Sequence, residues 1–228
     1  MTEQALRISR SHFPVTALGP GVRFGLWVQG CPLACRGCMS LDTWDPGAGR
    51  PVALSALAAD WREAIERGAT GLTISGGEPL AQPGPLGAFL AEARRIGEQA
   101  PGEYDILMFT GYDLKELTEE QNQVAAYADV LVTGRYEAGQ PTKLIWRGSA
   151  NQQMILQTEL GRARYTAHLH EEPANPPLQV RVDSAGGWIV GVPRQGTLSR
   201  LDREFRRRNL FVDRVSWRPS PDHAADGG

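Results

Sequence analysis

The chain has 228 residues, 41% of them hydrophobic, and carries 24 Lys and Arg against 26 Asp and Glu for a formal net charge of −2. That length suits one domain, or one with a small appendage, and the near-balanced charge argues against general nucleic-acid binding. No apolar run reaches the ~18 residues of a membrane span. The opening Met1-Thr2-Glu3-Gln4-Ala5-Leu6-Arg7 leads into no signal-peptide core, so the expected location is cytoplasmic and membrane-free.

Val22, Phe24, Leu26 and Val28 alternate as in a half-buried strand that runs into Gly30-Cys31. Leu57, Trp61, Ala64 and Ile65 follow at helical spacing, with Ser55 as the expected N-cap and Gly68 as the terminator. Leu72 to Ser75 reads as a second strand ending at Gly76-Gly77. A second helix puts Leu86, Phe89, Leu90, Ala93 and Ile96 on one face. Ile106 to Phe109 is a third strand, a weaker helix spans Leu114 to Tyr127, and Val130 to Val132 is a fourth strand ending at Thr133-Gly134. Met154 to Leu156 is a fifth. Alternating strands and helices predict an α/β fold with a parallel sheet, whose ligand face lies at the strands' carboxyl ends. Cys31, Gly76, Thr110 and Thr133 then share one rim.

Beyond residue 160 the composition changes. Glu171 to Pro177 reads as a linker. Leu178 to Asp183 and Trp188 to Val192 form a hairpin around Ala185-Gly186-Gly187. A short helix carries Leu198, Leu201 and Phe205, and Pro219 to Gly228 is expected to fray. This divides the chain into a core, 1–160, and a small α+β extension, 161–228.

All three cysteines lie in Cys31-Pro32-Leu33-Ala34-Cys35-Arg36-Gly37-Cys38, spaced C-x3-C-x2-C. An odd, tightly clustered set is a poor disulfide framework. Thiolates are the usual ligands of iron–sulfur clusters, and three from one loop hold three corners of a cubane, leaving the fourth iron open. Zinc is the rival reading, but it needs a fourth ligand, and His12, His168, His170 and His223 are all distant in sequence. Gly76-Gly77-Glu78-Pro79 follows the second strand. Its glycines permit close backbone approach, and its exposed backbone groups suit a small zwitterion; the plainer reading is a strand-to-helix turn.

Together these residues resemble the radical S-adenosylmethionine (SAM) superfamily, in particular its glycyl-radical activating branch. Gly19-Pro20-Gly21-Val22-Arg23 and Leu26-Trp27-Val28-Gln29-Gly30-Cys31 resemble the branch signature leading into the cysteines. Gly37, Thr43-Trp44, Phe109-Thr110-Gly111-Tyr112 and Trp146-Arg147-Gly148-Ser149-Ala150-Asn151-Gln152 look more like the anaerobic ribonucleotide reductase activases than the pyruvate formate-lyase activases. The resemblance covers roughly residues 8–157. Two features depart from it: Met39 stands where an aromatic residue is usual, and the tail from Gln179 to Trp217 has no counterpart in the minimal activases.

The resemblance implies a partial (βα) barrel of the radical SAM type. Cys31, Cys35 and Cys38 would hold a [4Fe–4S] cluster. Gly76, Gly77, Glu78 and Pro79 would contact the methionine part of SAM, chiefly through backbone, and Thr110 and Thr133 would line the SAM site. It implies reductive cleavage of SAM to a 5′-deoxyadenosyl radical, a glycyl-radical enzyme as protein partner, and an external one-electron donor such as a flavodoxin or ferredoxin. Two other functions stay open: a radical SAM enzyme acting directly on a small molecule, nucleotide or peptide, and a non-catalytic iron–sulfur or zinc protein. The tail is rich in arginine (Arg194, Arg200, Arg203, Arg206, Arg207, Arg208, Arg214 and Arg218). It reads either as a docking face for an acidic or phosphate-bearing partner or as a solvated helix face.

Overall fold

A computed structural model describes residues 4–183, 186–210 and 215–217. The expected fraying of 219–228, Ala185 at the hairpin tip, and Arg214 and Arg218 lie outside the described residues. The elements run β1 Ala5–Val15, β2 Arg23–Val28, β3 Arg50–Ala53, α1 Leu54–Glu66, β4 Gly71–Gly76, α2 Pro83–Gln99 and β5 Asp105–Phe109. They continue with α3 Glu119–Ala125, β6 Val130–Thr133, β7 Gln153–Leu156, α4 Glu159–Tyr165, β8 Leu178–Asp183, β9 Gly186–Gly191 and α5 Thr197–Arg207.

Seven strands form one sheet in the order β3-β1-β2-β4-β5-β6-β7, and β8 and β9 pair separately. The middle four, β2, β4, β5 and β6, are mutually parallel, as their alternation with helices predicts. The flanks correct the expectation of an all-parallel sheet: β1, β3 and β7 each pair antiparallel. β7 joins β6 as a returning edge strand because no helix intervenes between them to carry a crossover.

The local chemistry explains most boundaries. Helix α1 starts one residue ahead of the expected Ser55 cap: Ala53 is the cap and caps with no side-chain bond. It ends as expected, with Gly68 at φ +93° just past Arg67. The weaker helix is broken in two, because Thr118 and Gln121 form a capping box that starts α3 afresh after a single 3-10 turn at Leu114–Glu116.

Alternate strand residues face opposite sides of the sheet. Phe24, Leu26, Val28, Leu72, Ile74, Ile106, Met108 and Leu131 pack under α1, α2 and α3. Trp61 on α1 anchors that layer, fully buried, its indole donating to the Ala93 carbonyl of α2 at 3.2 Å. The other face is covered in two places. Leu107, Val130 and Val132 meet Trp146 and Tyr165. Val15, Ala17 and Leu18 meet Val190 of the hairpin, with Trp27, Phe109 and Trp188 alongside. Gln179 stitches the hairpin down, accepting from the amides of Thr16 (2.7 Å) and Ala17 (3.2 Å).

The amino ends of the parallel strands are tied by a buried ion pair. Arg23 on β2 and Asp105 on β5 are fully buried, with Nη2 to Oδ2 at 2.7 Å. Strand β4 lies between them, and the guanidinium crosses it at Gly71, where an added Cβ would stand 2.4 Å from Nη1. Arg23 also donates to Thr73 Oγ1 (2.6 Å) and the Leu72 carbonyl (2.7 Å), while Arg164 and Tyr165 of α4 each reach Asp105 at 2.6 Å.

Removing one partner of a buried pair strands the other charge, so Arg23→Met should lower stability by about 3–5 kcal/mol in urea unfolding. Burial alone pushes the Asp105 carboxyl up, but Arg23 and the hydrogen bonds from Arg23, Tyr165 and Arg164 outweigh it and hold it below the usual range. A depressed carboxylate stabilises fully above its unfolded pKa of about 4, and that contribution is lost as pH falls through the folded value. Wild type should therefore lose stability below about pH 4, and Asp105→Asn should flatten that part of the profile.

Candidate functional site

The cysteines hang from the carboxyl end of β2 in a loop whose two ends are sewn together. The Gly30 amide donates to the Thr43 carbonyl at 2.8 Å and the Cys31 amide to the Trp44 carbonyl at 3.0 Å. Gln29, nearly fully buried, donates from Nε2 to the carbonyls of Asp42 (3.1 Å) and Asp45 (2.8 Å). The chain between these stitches turns twice through left-handed backbone, at Ala34 (φ +46°) and Gly37 (φ +82°). The result presents three free, half-buried thiols from one loop.

Burial raises the Cys31 thiol against amide bonds from Leu33 and Ala34, and nearby Glu78 and Cys38 raise it further. Burial likewise raises Cys38, against hydrogen bonds from the Ser40 amide and the Trp44 side chain, with Cys35 adding repulsion. Each neighbouring thiolate would thus raise the next, a repulsion that bound cationic iron would turn to attraction. Among the described residues no group of three or more His, Cys, Asp or Glu side chains is already gathered as metal ligands. His168 bonds Glu171 and His12 lies edge-on to Trp188. Three thiols from one loop fit a cluster with an open corner better than a closed tetrahedral zinc site.

The Gly76-Gly77-Glu78-Pro79 turn ends β4 and lies directly against this loop. The Gly77 amide donates to the Val28 carbonyl and the Glu78 amide to the Gly30 carbonyl, both at 2.8 Å. Contact is so close that a Cβ on Gly77 would stand 2.3 Å from the Gly30 oxygen and 2.8 Å from the Thr43 oxygen. The second glycine therefore lets the turn nest on the base of the cysteine loop.

Glu78 points inward. It is 1% exposed and accepts from the Leu80 amide (2.9 Å), the Thr110 hydroxyl (2.9 Å) and the Gly111 amide (2.7 Å). Burial pushes its carboxyl up to about 7 against those three bonds. Pro79 is buried and opens the 3-10 turn Pro79–Ala81. Thr110, also buried, is spent on Glu78 and on the Tyr112 amide. Thr133 is buried at the end of β6, paired with Gln153.

The segment after β6 is fastened by the Trp146–Gln152 motif. Gln152 accepts from the Gly148 amide at 2.7 Å and donates to the Gly134 carbonyl at 2.9 Å, and Asn151 donates to the Arg135 carbonyl at 2.8 Å. Arg147 turns away to the Leu169 carbonyl. Sequence reasoning missed the stitching role of Gln29 and of Gln82, which donates to the carbonyls of Arg7 and Gln29; a glutamine carries no pattern of its own. A cleft of about 790 Å³ lined by Arg62, Tyr104 and Arg164 opens near the amino ends of the strands, away from this rim.

Comparison with known proteins bears on the same segment. Residues 17–155 match the family model described as a 4Fe-4S single cluster domain. The chain belongs to this family. It is 38% identical over 148 residues to the anaerobic ribonucleoside-triphosphate reductase-activating protein of Vibrio cholerae, spanning 62% of this chain and 92% of that one. The activating protein of Escherichia coli K12 is 37% identical over 147 residues, spanning 62% and 93%. That of Enterobacteria phage T4 is 33% identical over 141 residues, spanning 62% and 88%. The family match thus contains the cysteine loop, the Gly-Gly-Glu-Pro turn and the Arg23–Asp105 pair, and stops short of α4 and the extension.

Gly77→Ala should force the turn off the cysteine loop. It should lower thermal stability and reduce iron bound per chain after anaerobic reconstitution. Gly139→Ala, where an added Cβ meets nothing within 4 Å, should change neither.

Proposed function

We propose that this chain is a radical SAM activating enzyme whose [4Fe–4S] cluster is held by Cys31, Cys35 and Cys38 and whose product is a glycyl radical on an anaerobic ribonucleotide reductase. The observation that carries this reading is the sewn three-thiol loop nested on a Gly-Gly turn, in a chain of the activating-protein family. Cys31, Cys35 and Cys38 would hold the cluster, which would supply the one-electron reduction of the SAM sulfonium that yields methionine and a 5′-deoxyadenosyl radical for hydrogen abstraction from a glycine.

The protein's part is to bind, orient and exclude water. The amides of Gly77 and Glu78 are committed to β2 and its loop. What Gly76 and Gly77 offer SAM is therefore carbonyl oxygen, which suits the ammonium of its methionine part. Glu78 acts as a positioning residue: its carboxylate fixes the Thr110–Gly111 turn across the rim from the cysteines. Thr133 and the Gln152-fastened segment close the far side. Hydrogen bonds to the Cys38 sulfur are among the factors that set a cluster's potential.

The same reading takes the open sheet as a partial (βα) barrel with β2, β4, β5 and β6 as its wall. It divides the chain into a core, 1–160, and an extension, 161–228. Helix α4 crosses that boundary, and its bonds from Arg164 and Tyr165 to Asp105 support counting it with the core. The cluster's electron comes from an external one-electron donor, a flavodoxin or ferredoxin. No described helix is long and apolar enough to cross a membrane.

The test is anaerobic: reconstituted protein, SAM, dithionite and the reductase, read by chromatography for 5′-deoxyadenosine and by EPR for a glycyl radical. Wild type should yield both, and Cys35→Ala should fall to background in both. Deoxyadenosine without a glycyl radical would move the reading to a small-molecule substrate. A colourless, zinc-loaded protein that refuses a cluster would end it.

A further inference from the structure

The extension brings a strongly basic helix to the edge of the cysteine loop. Helix α5 carries Arg200, Arg203, Arg206 and Arg207, with Arg208 as its C-cap, against Asp202 and Glu204, in a chain whose net charge is −2. At 100° per residue, Arg200, Arg203, Arg206 and Arg207 fall within a third of the helix circumference. All four are exposed, while Leu198, Leu201 and Phe205 on the opposite side are partly covered. Glu204 is engaged by Arg207 and Arg208, and Asp202 receives the Trp217 indole, so along the helix and its C-cap five arginines stand against two carboxylates.

Both ends of the helix are fastened beside the cysteines. Ahead of it, Gln195 donates to the Ala138 carbonyl at 3.1 Å, and Ala138 and Tyr136 flank Gly37, each 3.5 Å from where its Cβ would stand. After it, the Ser216 carbonyl accepts the Leu41 amide at 2.8 Å, three residues past Cys38. The loop shows its exposed residues Pro32, Ala34, Arg36 and Gly37 to solvent, and Arg36, next to Gly37, adds another cation.

We propose that the arginine face of α5, with Arg36, is the docking surface for an acidic one-electron carrier protein that reduces the cluster. This rests on the proposed radical SAM function. The choice of partner follows from charge and place. A dense guanidinium stripe recognises carboxylates on an acidic surface, and the segments on either side of it meet the cysteine loop at Gly37 and Leu41. The step moves a single electron, leaving the carrier oxidised by one and the cluster reduced by one, with no bond made or broken on this chain.

The test uses the full-length, reconstituted protein and a reduced flavodoxin as the carrier. Arg203→Glu, Arg206→Glu and Arg207→Glu are combined, with the triple Lys variant as the charge-preserving control. Flavodoxin binding is measured directly by titration, and deoxyadenosine formation is driven either by flavodoxin or by dithionite. The Glu variant should bind flavodoxin at least about tenfold more weakly at low salt. Its flavodoxin-driven rate should fall in step, its dithionite-driven rate should stay at wild type, and the Lys variant should behave as wild type. The gap should shrink at about 0.5 M salt, where screening is short-ranged. Equal flavodoxin binding by wild type and Glu variant overturns the proposal. So does a parallel loss of the dithionite rate, which would make α5 part of the site's structure. Loss of reductase or duplex DNA binding with flavodoxin binding intact would reassign the surface to that partner. Failure of wild type to cleave SAM with dithionite sinks the radical SAM reading itself, a result separate from the binding titration.

Discussion

Arg23 reaches across β4 at Gly71, where no side chain blocks it, and on that crossing the level of the parallel strands depends. Its guanidinium touches β4 at Leu72 and Thr73 and β5 at Asp105. Such a bridge contributes little net stability over an apolar filling of the same volume, since desolvating two charges offsets most of their attraction. Its effect is on register. Sliding β4 by one residue would replace the Gly71 gap with the Leu72 side chain and turn the strand's apolar face to the wrong side. With the amino ends level, the carboxyl ends finish level too, and β2 delivers Cys31 beside the turn that follows β4.

Glu78 does at the carboxyl ends what Arg23 does at the amino ends, in a weaker form. Both are buried ionisable groups joining adjacent strands, but Arg23 has a countercharge in contact, whereas Glu78 is bonded by two amides and a hydroxyl and feels Arg135 only through space. Hence the carboxylate of Asp105 is held down while that of Glu78 is pushed up to about 7. The proposed site thus lies beside a buried carboxyl with no countercharge in contact, and perturbed groups of that kind cluster at functional sites.

The periodic signals in the sequence were strong where one face is buried and local. Phe24, Leu26 and Val28, or Leu86, Phe89 and Leu90, announce their elements because alternate or helical spacing meets a continuous core. β1 escaped because only Leu6 and Ile8 alternate before Arg10 and His12 interrupt, and its remainder is covered by a hairpin some 170 residues away. The parallel order was legible from alternation, whereas the antiparallel flanks depend on long-range pairing that no local pattern encodes. At the site, the cysteines and the Gly-Gly turn were legible because few residue types do their work. The inward turn of Glu78 and the stitches of Gln29 and Gln82 were not, since a polar side chain's partner is set by the tertiary fold.

The extension raises a conflict between shielding and access. A site that makes a radical needs water kept out, and the hairpin contributes by laying Val190 and Trp188 over Val15, Ala17, Trp27 and Phe109, on the sheet face that the helices leave bare. A redox centre also needs an outside surface near enough for an electron to enter. The two demands are met by different parts of one segment. Val190 and Trp188 of the extension cover the sheet, and its arginine-rich helix is followed by Ser216, whose carbonyl accepts the Leu41 amide of the cysteine loop. Covering is done by residues that lose water readily, and the exposed edge is left to guanidinium groups that keep theirs. Segregating the two along 178–217 gives this chain, in one appended segment, both a roof for the sheet and a charged approach to the loop.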